Sequence, residues 1–418
     1  YRATDLLEPQ MGWWAPRGPS ARARGHFLDE MEYFGAKNLG LDGAMSIQGV
    51  NVSRNPLPPY VENQFTLIGW YERLRMARYF DAGTRARVAT AGDEFRLRQN
   101  ANGEWLFTPV RTDAHRISAV GNGSETWHAM NPLGGQPLAA RIEALYTVAP
   151  YDSPKRACLA DFSDIAALKP TTASGAISIQ LAHATTDLKA GATNLHLLAT
   201  NKGPKREGAW ARASLAFPAP YRSIAGAGAV GLWVKGDGKG ALLNIQLGTP
   251  REYHQALSDH YVTLDFKGWR YFELLFRERD VDQMTNYTWP YDRGYSLYRN
   301  ALDLAHISNL NLYLNNIPQG DSTEIVVAPI MALPVLPNEI RNPAIALNGQ
   351  NLVVPRTLKS GDFVEIEPDG EITHHNEKGD ILSRERLAGD AAKPVLRPGN
   401  NAVSFHCEKT PGYSARAE

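Results

Sequence analysis

Residues 226–276 read GAGAVGLWVKGDGKGALLNIQLGTPREYHQALSDHYVTLDFKGWRYFELLF. Val230, Leu232 and Val234 alternate with Gly231, Trp233 and Lys235, the period of two of a strand with one buried face. Gly236-Asp237-Gly238-Lys239-Gly240 then makes a turn, because Gly and Asp accept positive φ. Ala241 to Leu247 supply a second alternating strand. Tyr261 to Phe266 and Trp269 to Phe276 supply two more, joined through Lys267-Gly268. Four strands in roughly fifty residues, linked by short Gly/Asp turns, predict an antiparallel β-sandwich.

The runs V-G-L-W-V-K-G-D-G (Val230–Gly238), G-W-R-Y-F-E-L-L-F (Gly268–Phe276) and I-S-N-L-N-L-Y-L-N (Ile307–Asn315) resemble the jelly-roll sandwich of galactose-binding-like carbohydrate-binding modules. The stretch from Cys158 to Asp164 (CLADFSD) fits the start of such a module. The resemblance implies a glycan-binding, appendage or spacer role, since one sandwich serves all three. It also implies a structural Ca2+, for which Asp161 and Asp164, or Asp321 and Glu324, are the candidate ligands; the competing reading makes them ordinary surface acids. No cofactor is otherwise required.

The first eighty residues differ from the rest. Ala3–Leu7 reads as a buried strand, and Gly12 to Pro16, with Trp13 and Trp14, as its loop. Ser20 reads as the cap of a helix running through Gly35, with Phe27, Met31 and Phe34 on one face. Asn38 to Ile47 reads as a second buried strand with its loop, and Asn63 to Phe80 as a second helix. This βα alternation belongs to parallel α/β folds. The runs LEPQMGWW and FLDEMEYFGAKNLGLDG resemble the last strands and helices of a TIM-barrel glycoside hydrolase. Such enzymes use paired carboxylates at the C-terminal ends of strands. The resemblance therefore points to Glu8 and Asp42 as catalytic, with Trp13, Trp14 and Gln48 binding substrate. Read without it, Glu8 is a loop residue before Pro9, Asp42 caps a turn, and the tryptophans pack a core or an interface.

Beyond this segment the chain turns to β. Glu94 to Val110 is a hairpin signal around Asn100-Ala-Asn-Gly. A polar and aromatic insertion between Glu278 and Ala301 holds Trp289 and Tyr291, which suit stacking on a sugar or clamping a neighbour. Ala344 to Val354 is a hairpin on Asn348-Gly349, and the end of the chain has an Ig-like pattern in which His374-His375 read as solvent-facing. Trp70, Trp105, Trp233 and Trp269 sit inside periodic segments and read as core. The expected domains are 1–84 (the end of an α/β barrel), 85–150 (a β-rich connection), 151–335 (the jelly roll) and 336–418 (a small Ig-like domain). The fold class is mainly β: β-sandwich domains preceded by a partial, TIM-barrel-like α/β segment.

Lys+Arg and Asp+Glu both number 44, so bulk charge provides no attraction to nucleic acid or an anionic membrane. No apolar run is long enough to span a bilayer. The two cysteines, Cys158 and Cys407, read as free thiols. The ends of the sequence read as an interior piece of a longer polypeptide, so the missing N-terminal part, or another chain, is an expected partner beside carbohydrate. The expected function is part of a secreted bacterial glycoside hydrolase, extracellular, periplasmic or at the cell surface. A non-catalytic glycan-binding or cell-surface structural protein and a polysaccharide lyase are the alternatives.

Overall fold

The computed structural model describes residues 10–48, 57–120, 125–184, 193–253, 255–278, 301–386, 394–408 and 415–418. The strand expected at Ala3–Leu7, Glu8, Trp289 and Tyr291 lie outside the described residues. The chain is mainly β and divides into two compact units. One joins residues 1–145 to 337–418; the other is 146–336. Cys158 and Cys407 are free thiols.

In the first unit, β1 (Gln10–Trp14) and β2 (Ala44–Ile47) pair in parallel, with Trp14 opposite Ile47. Helix α1 (Leu28–Leu41) makes the connection that a parallel pair requires. Trp13 and Trp14 thus lie in a strand rather than a loop. Among the described residues this parallel sheet has two strands, and no barrel closes.

Ser20 does not start α1. Its hydroxyl accepts from Ala23 N–H at 3.1 Å inside a local turn. The helix begins after Phe27, whose N–H donates to the Glu30 carboxylate at 2.8 Å, and Asp29 and Glu30 suit the positive end of the helix dipole. It runs on through Asn38–Leu41, expected as strand. Asp42 ends it in the left-handed region (φ 54°), with Gly43 N–H donating to Asn38 O at 3.0 Å.

Helix α2 (Pro59–Met76) starts on a proline, where the ring suits the first turn. A short helix not expected from the sequence, α3 (Ala82–Ala89), is capped by Asp81, whose carboxylate accepts from Thr84 N–H at 2.8 Å. Met31, Leu39, Leu67, Tyr71, Leu74 and Val88 of the helices form one core with Phe95, Leu97 and Phe107 of the hairpin Glu94–Gln99/Trp105–Val110. Trp70 is 36 % exposed and tilts against the half-buried Trp105 at 5.4 Å, so Trp70 is not a core residue.

The rest of the first unit is a sandwich assembled from both ends of its sequence. Glu125–Asn131 pairs with Gly399–Glu408, and Ala140–Glu143 pairs with Phe363–Ile366. The segments read separately as 85–150 and 336–418 therefore share sheets. Ile142, Ile340, Leu347, Leu358, Val364, Ile372 and Phe405 fill the space between them. His374 and His375 are buried, not solvent-facing. His375 stacks on Phe363 at 4.6 Å and meets Tyr60 edge-on at 5.4 Å.

The second unit is a two-sheet sandwich. The sheet that carries the site, five-stranded among the described residues, comprises β3 (Lys169–Thr172), β4 (Trp210–Ala216), β5 (Leu242–Thr249), β6 (Ala256–Thr263) and β7 (Asn309–Asn315), in the order β3-β4-β7-β5-β6. The opposing sheet is built around Ala227–Asp237, whose Ala229–Asp237 pairs with the whole of Lys267–Leu275. The four strands expected in residues 226–276 are all present, but they are divided between the two sheets: the first and fourth to one, the second and third to the other. Gly238 and Gly240, both at positive φ, make the first crossing between sheets. Leu195, Leu197, Leu232 and Val234 from one side meet Leu243, Ile245, Leu312 and Leu314 from the other. Each such side chain removed from water contributes about 1.5–3 kcal/mol.

Candidate functional site

Alternation sends every second residue of β5 away from the core. Leu243, Ile245 and Leu247 point inward, so Asn244 and Gln246 point outward. Strand register puts Asn311 beside Gln246, Tyr313 beside Asn244, and Asp259 on the far side of Gln246. The next strand adds Arg212 opposite Tyr313, and Trp210 two residues before it. Tyr261 registers with Asn244 on the other side, so the outward face of this sheet is a row of amides, one carboxylate, three aromatic rings and a guanidinium.

These groups are hydrogen-bonded to one another. Asp259 Oδ1 accepts from Asn244 Nδ2 at 2.9 Å and from Gln246 Nε2 at 2.8 Å. Gln246 Oε1 accepts from Asn311 Nδ2 at 2.9 Å. Asn244, Gln246, Asp259 and Asn311 are buried although they face away from the apolar core. Burying polar groups costs unless each finds a partner, which this ladder supplies. Beside it lies a half-buried rim. Arg212 Nη1 donates to Tyr313 Oη at 3.2 Å and Nη2 to Thr171 Oγ1 at 3.2 Å. The guanidinium lies 5.5 Å from the Tyr313 ring centre, and Trp210 meets that ring edge-on at 5.7 Å.

The residues singled out by the sequence lie elsewhere. Asp42 stands between α1 and β2, at the N-terminal end of that strand and not at the C-terminal end expected of a barrel carboxylate. Its carboxylate pairs with Arg75 at 3.4 Å and Arg85 at 3.8 Å. Trp14 stacks on Phe34 at 4.7 Å and packs against the helical core. Gln48 donates its backbone N–H to Trp14 O at 2.9 Å. Trp13 is in β1. Asp161 accepts from the Ser163 N–H and hydroxyl, which hold its carboxyl below the usual range, and Asp164 accepts from Ala166 N–H. Both acids thus have local partners. Among the described residues no three His, Cys, Asp or Glu side chains cluster as a metal site.

None of Asn244, Gln246, Asp259, Asn311, Arg212 and Tyr313 was singled out from the sequence. The signal was available: polar side chains at every second position of otherwise apolar strands, as in Leu242-Leu-Asn-Ile-Gln-Leu and Asn309-Leu-Asn-Leu-Tyr-Leu-Asn.

No family model matches the chain, and no curated protein matches it. Solved structures similar to it include the family 11 carbohydrate-binding module of the cellulosomal cellulase Lic26A-Cel5E of Clostridium thermocellum. That likeness has 13% identity, covers 44% of this chain and 96% of that one, and has a TM-score of 0.30. A carbohydrate-binding module of the β-sandwich superfamily is similar at 9% identity, over 59% of this chain and 87% of that one, with a TM-score of 0.29. An exo-β-agarase is similar at 10% identity over 43% of this chain and 25% of that one, with a TM-score of 0.29. Likeness at this level assigns neither family nor ligand. No helix among the described residues is long and apolar enough to cross a membrane.

Proposed function

We propose that the chain binds carbohydrate on the outward face of the β3–β7 sheet, as part of a carbohydrate-active protein. The observation that carries this is the polar ladder with its aromatic rim. A sugar ring offers hydroxyls around its edge and C–H bonds on its faces. It is recognised by polar groups fixed in place beside flat aromatic area. Here the buried Asn244–Asp259–Gln246–Asn311 ladder supplies rigid support, and Tyr313, Trp210, Arg212 and Thr171 supply the accessible contacts.

Titrating the full chain with a panel of plant and algal polysaccharides tests the proposal. At least one should bind, and Tyr313→Ala should weaken it by about tenfold, the value of one aromatic contact. No binding to any member would overturn the reading.

The second reading, glycoside hydrolysis, is favoured by the parallel β1–α1–β2 unit, the repeating element of α/β barrels. Glu8→Gln and Asp42→Asn test it kinetically on whichever polysaccharide binds. Full activity in both variants removes the two carboxylates from the chemistry.

A further inference from the structure

Arg212 is placed unlike the arginines that the structure ties into ion pairs. Arg24, Arg75, Arg96, Arg116, Arg141 and Arg356 each pair with a carboxylate. Both guanidinium ends of Arg212 rest on neutral oxygens, those of Tyr313 and Thr171, and its Nε is buried without a hydrogen-bond partner. Lys169 lies on the neighbouring strand, where Lys169 registers with Ser214 and Thr171 with Arg212, so all four share one face. Its ammonium donates to the carbonyl of Ala166 and, among the described residues, to no carboxylate. The carboxylate on this face, Asp259, lies three strands away, about 14 Å at the usual strand spacing. It already receives two amide donors there. At physiological salt that separation exceeds the screening length of about 8 Å. Among the described residues, one edge of the face thus carries two positive charges with no carboxylate paired to either, in a chain whose formal charges balance.

From this we infer that the ligand is an acidic saccharide whose carboxylate or sulfate group sits on Arg212, with Lys169 adding to the attraction. The inference rests on the carbohydrate reading above. The planar guanidinium retains N–H groups beyond those used on Tyr313 and Thr171, and its fork suits the two oxygens of a carboxylate or sulfate. An uncharged sugar would leave the guanidinium half-buried with its charge unmatched. An anionic one matches it while the Tyr313 ring takes the sugar's apolar face.

Calorimetric titration of the full chain uses polygalacturonate for carboxylate, κ-carrageenan for sulfate, and agarose and laminarin as uncharged polymers. At low salt at least one acidic polymer should bind about ten- to a hundredfold more tightly than the uncharged ones, the usual worth of a charged hydrogen-bonded contact. Which of the two binds identifies the anion. That preference should fall steeply as salt is raised. Arg212→Gln should remove it, and Arg212→Lys should retain part of it. Circular dichroism of both variants should match the parent. Equal affinity for acidic and uncharged polymers, or a preference that survives Arg212→Gln, overturns the inference and leaves the carbohydrate reading standing. Failure of all four polymers to bind removes both.

Discussion

Replacing Arg24 with Met tests what ties the chain's early loop to its last residues. Arg24 is 4 % exposed, and its guanidinium lies 2.7 Å from Glu143 Oε2 and 2.9 Å from Glu418 Oε1. Glu143 has no exposed surface at all, whereas Glu418 also has Arg116, at 2.8 Å. Arg24→Met keeps most of the apolar volume and withdraws the cation. Glu418 then keeps one guanidinium, while Glu143 loses this one in a site closed to water. Withdrawing one partner of a buried pair costs about 3–5 kcal/mol, because the remaining charge stays desolvated. In urea, with an m-value of about 3 kcal/mol per molar, the unfolding midpoint of the first unit should drop by about 1 M or more. The double variant Arg24→Met/Glu143→Met should recover much of the loss, since an apolar pair of similar volume replaces a charged one. Denaturation followed by circular dichroism reads both. A single variant whose midpoint stays within about 0.2 M of the parent would show that the pair contributes nothing net, and the reasoning about desolvation would be wrong.

Other outcomes follow from the same coordinates. Burial alone would push the Glu418 carboxyl up, but Arg24 and Arg116 more than offset this and hold it at about 2, against an ordinary 4.5. Its folded-state pKa is depressed, so its contribution, about 3 kcal/mol, is present above pH ~4.5 and lost as pH falls towards about 2. Parent and Glu418→Gln should therefore differ most near neutral pH and converge at the acid end of a pH series of urea melts; a gap that does not narrow refutes the assignment. Gly40 lies where α1 crosses α3, and a Cβ there would come within 2.7 Å of Ala89 N and Arg85 O. Gly40→Ala gains helix propensity of about 1 kcal/mol but forces two backbones apart, so Tm should fall by roughly 2–8 °C; an unchanged or higher Tm would show that the helices yield without cost.

Where one face of a strand is buried, the sequence states it plainly. Val230, Leu232 and Val234, or Leu243, Ile245 and Leu247, announce their strands because one alternate set must leave water. Alternation says nothing of partners, however. Nothing local in residues 226–276 tells that the first and fourth strands share one sheet and the second and third the other, nor that Ala140–Glu143 pairs with Phe363–Ile366 across the whole second unit of sequence. Helix α3 was missed because its sequence, AGTRARVA, buries a single apolar residue, Val88, and shows no stripe. His374 and His375 looked exposed because adjacent strand residues face opposite ways. Both faces prove to be covered, and that of His375 is covered by Tyr60 from α2. For the site, the fold-level cues came from apolar residues, while the candidate chemistry sits on the polar ones between them. Those read as an ordinary solvated face until strand register sets Asp259, Gln246 and Asn311 side by side.

Because the first unit's sheets join residues from both ends of its sequence, the points where the chain leaves it and returns lie next to each other. Asn338 Nδ2 donates to Leu145 O at 2.8 Å, and on the other side of the break Val148 pairs with Val335. During synthesis the inserted sandwich has all its strands in hand before the ribosome reaches the residues its host needs. The host must therefore wait, with Ala140–Glu143 lacking its partner strand, until Phe363–Ile366 emerges. The same adjacency means a bridge of a few residues from Leu145 to Asn338 would shorten the chain to the host alone, so excision of the insert is a small geometric change for it.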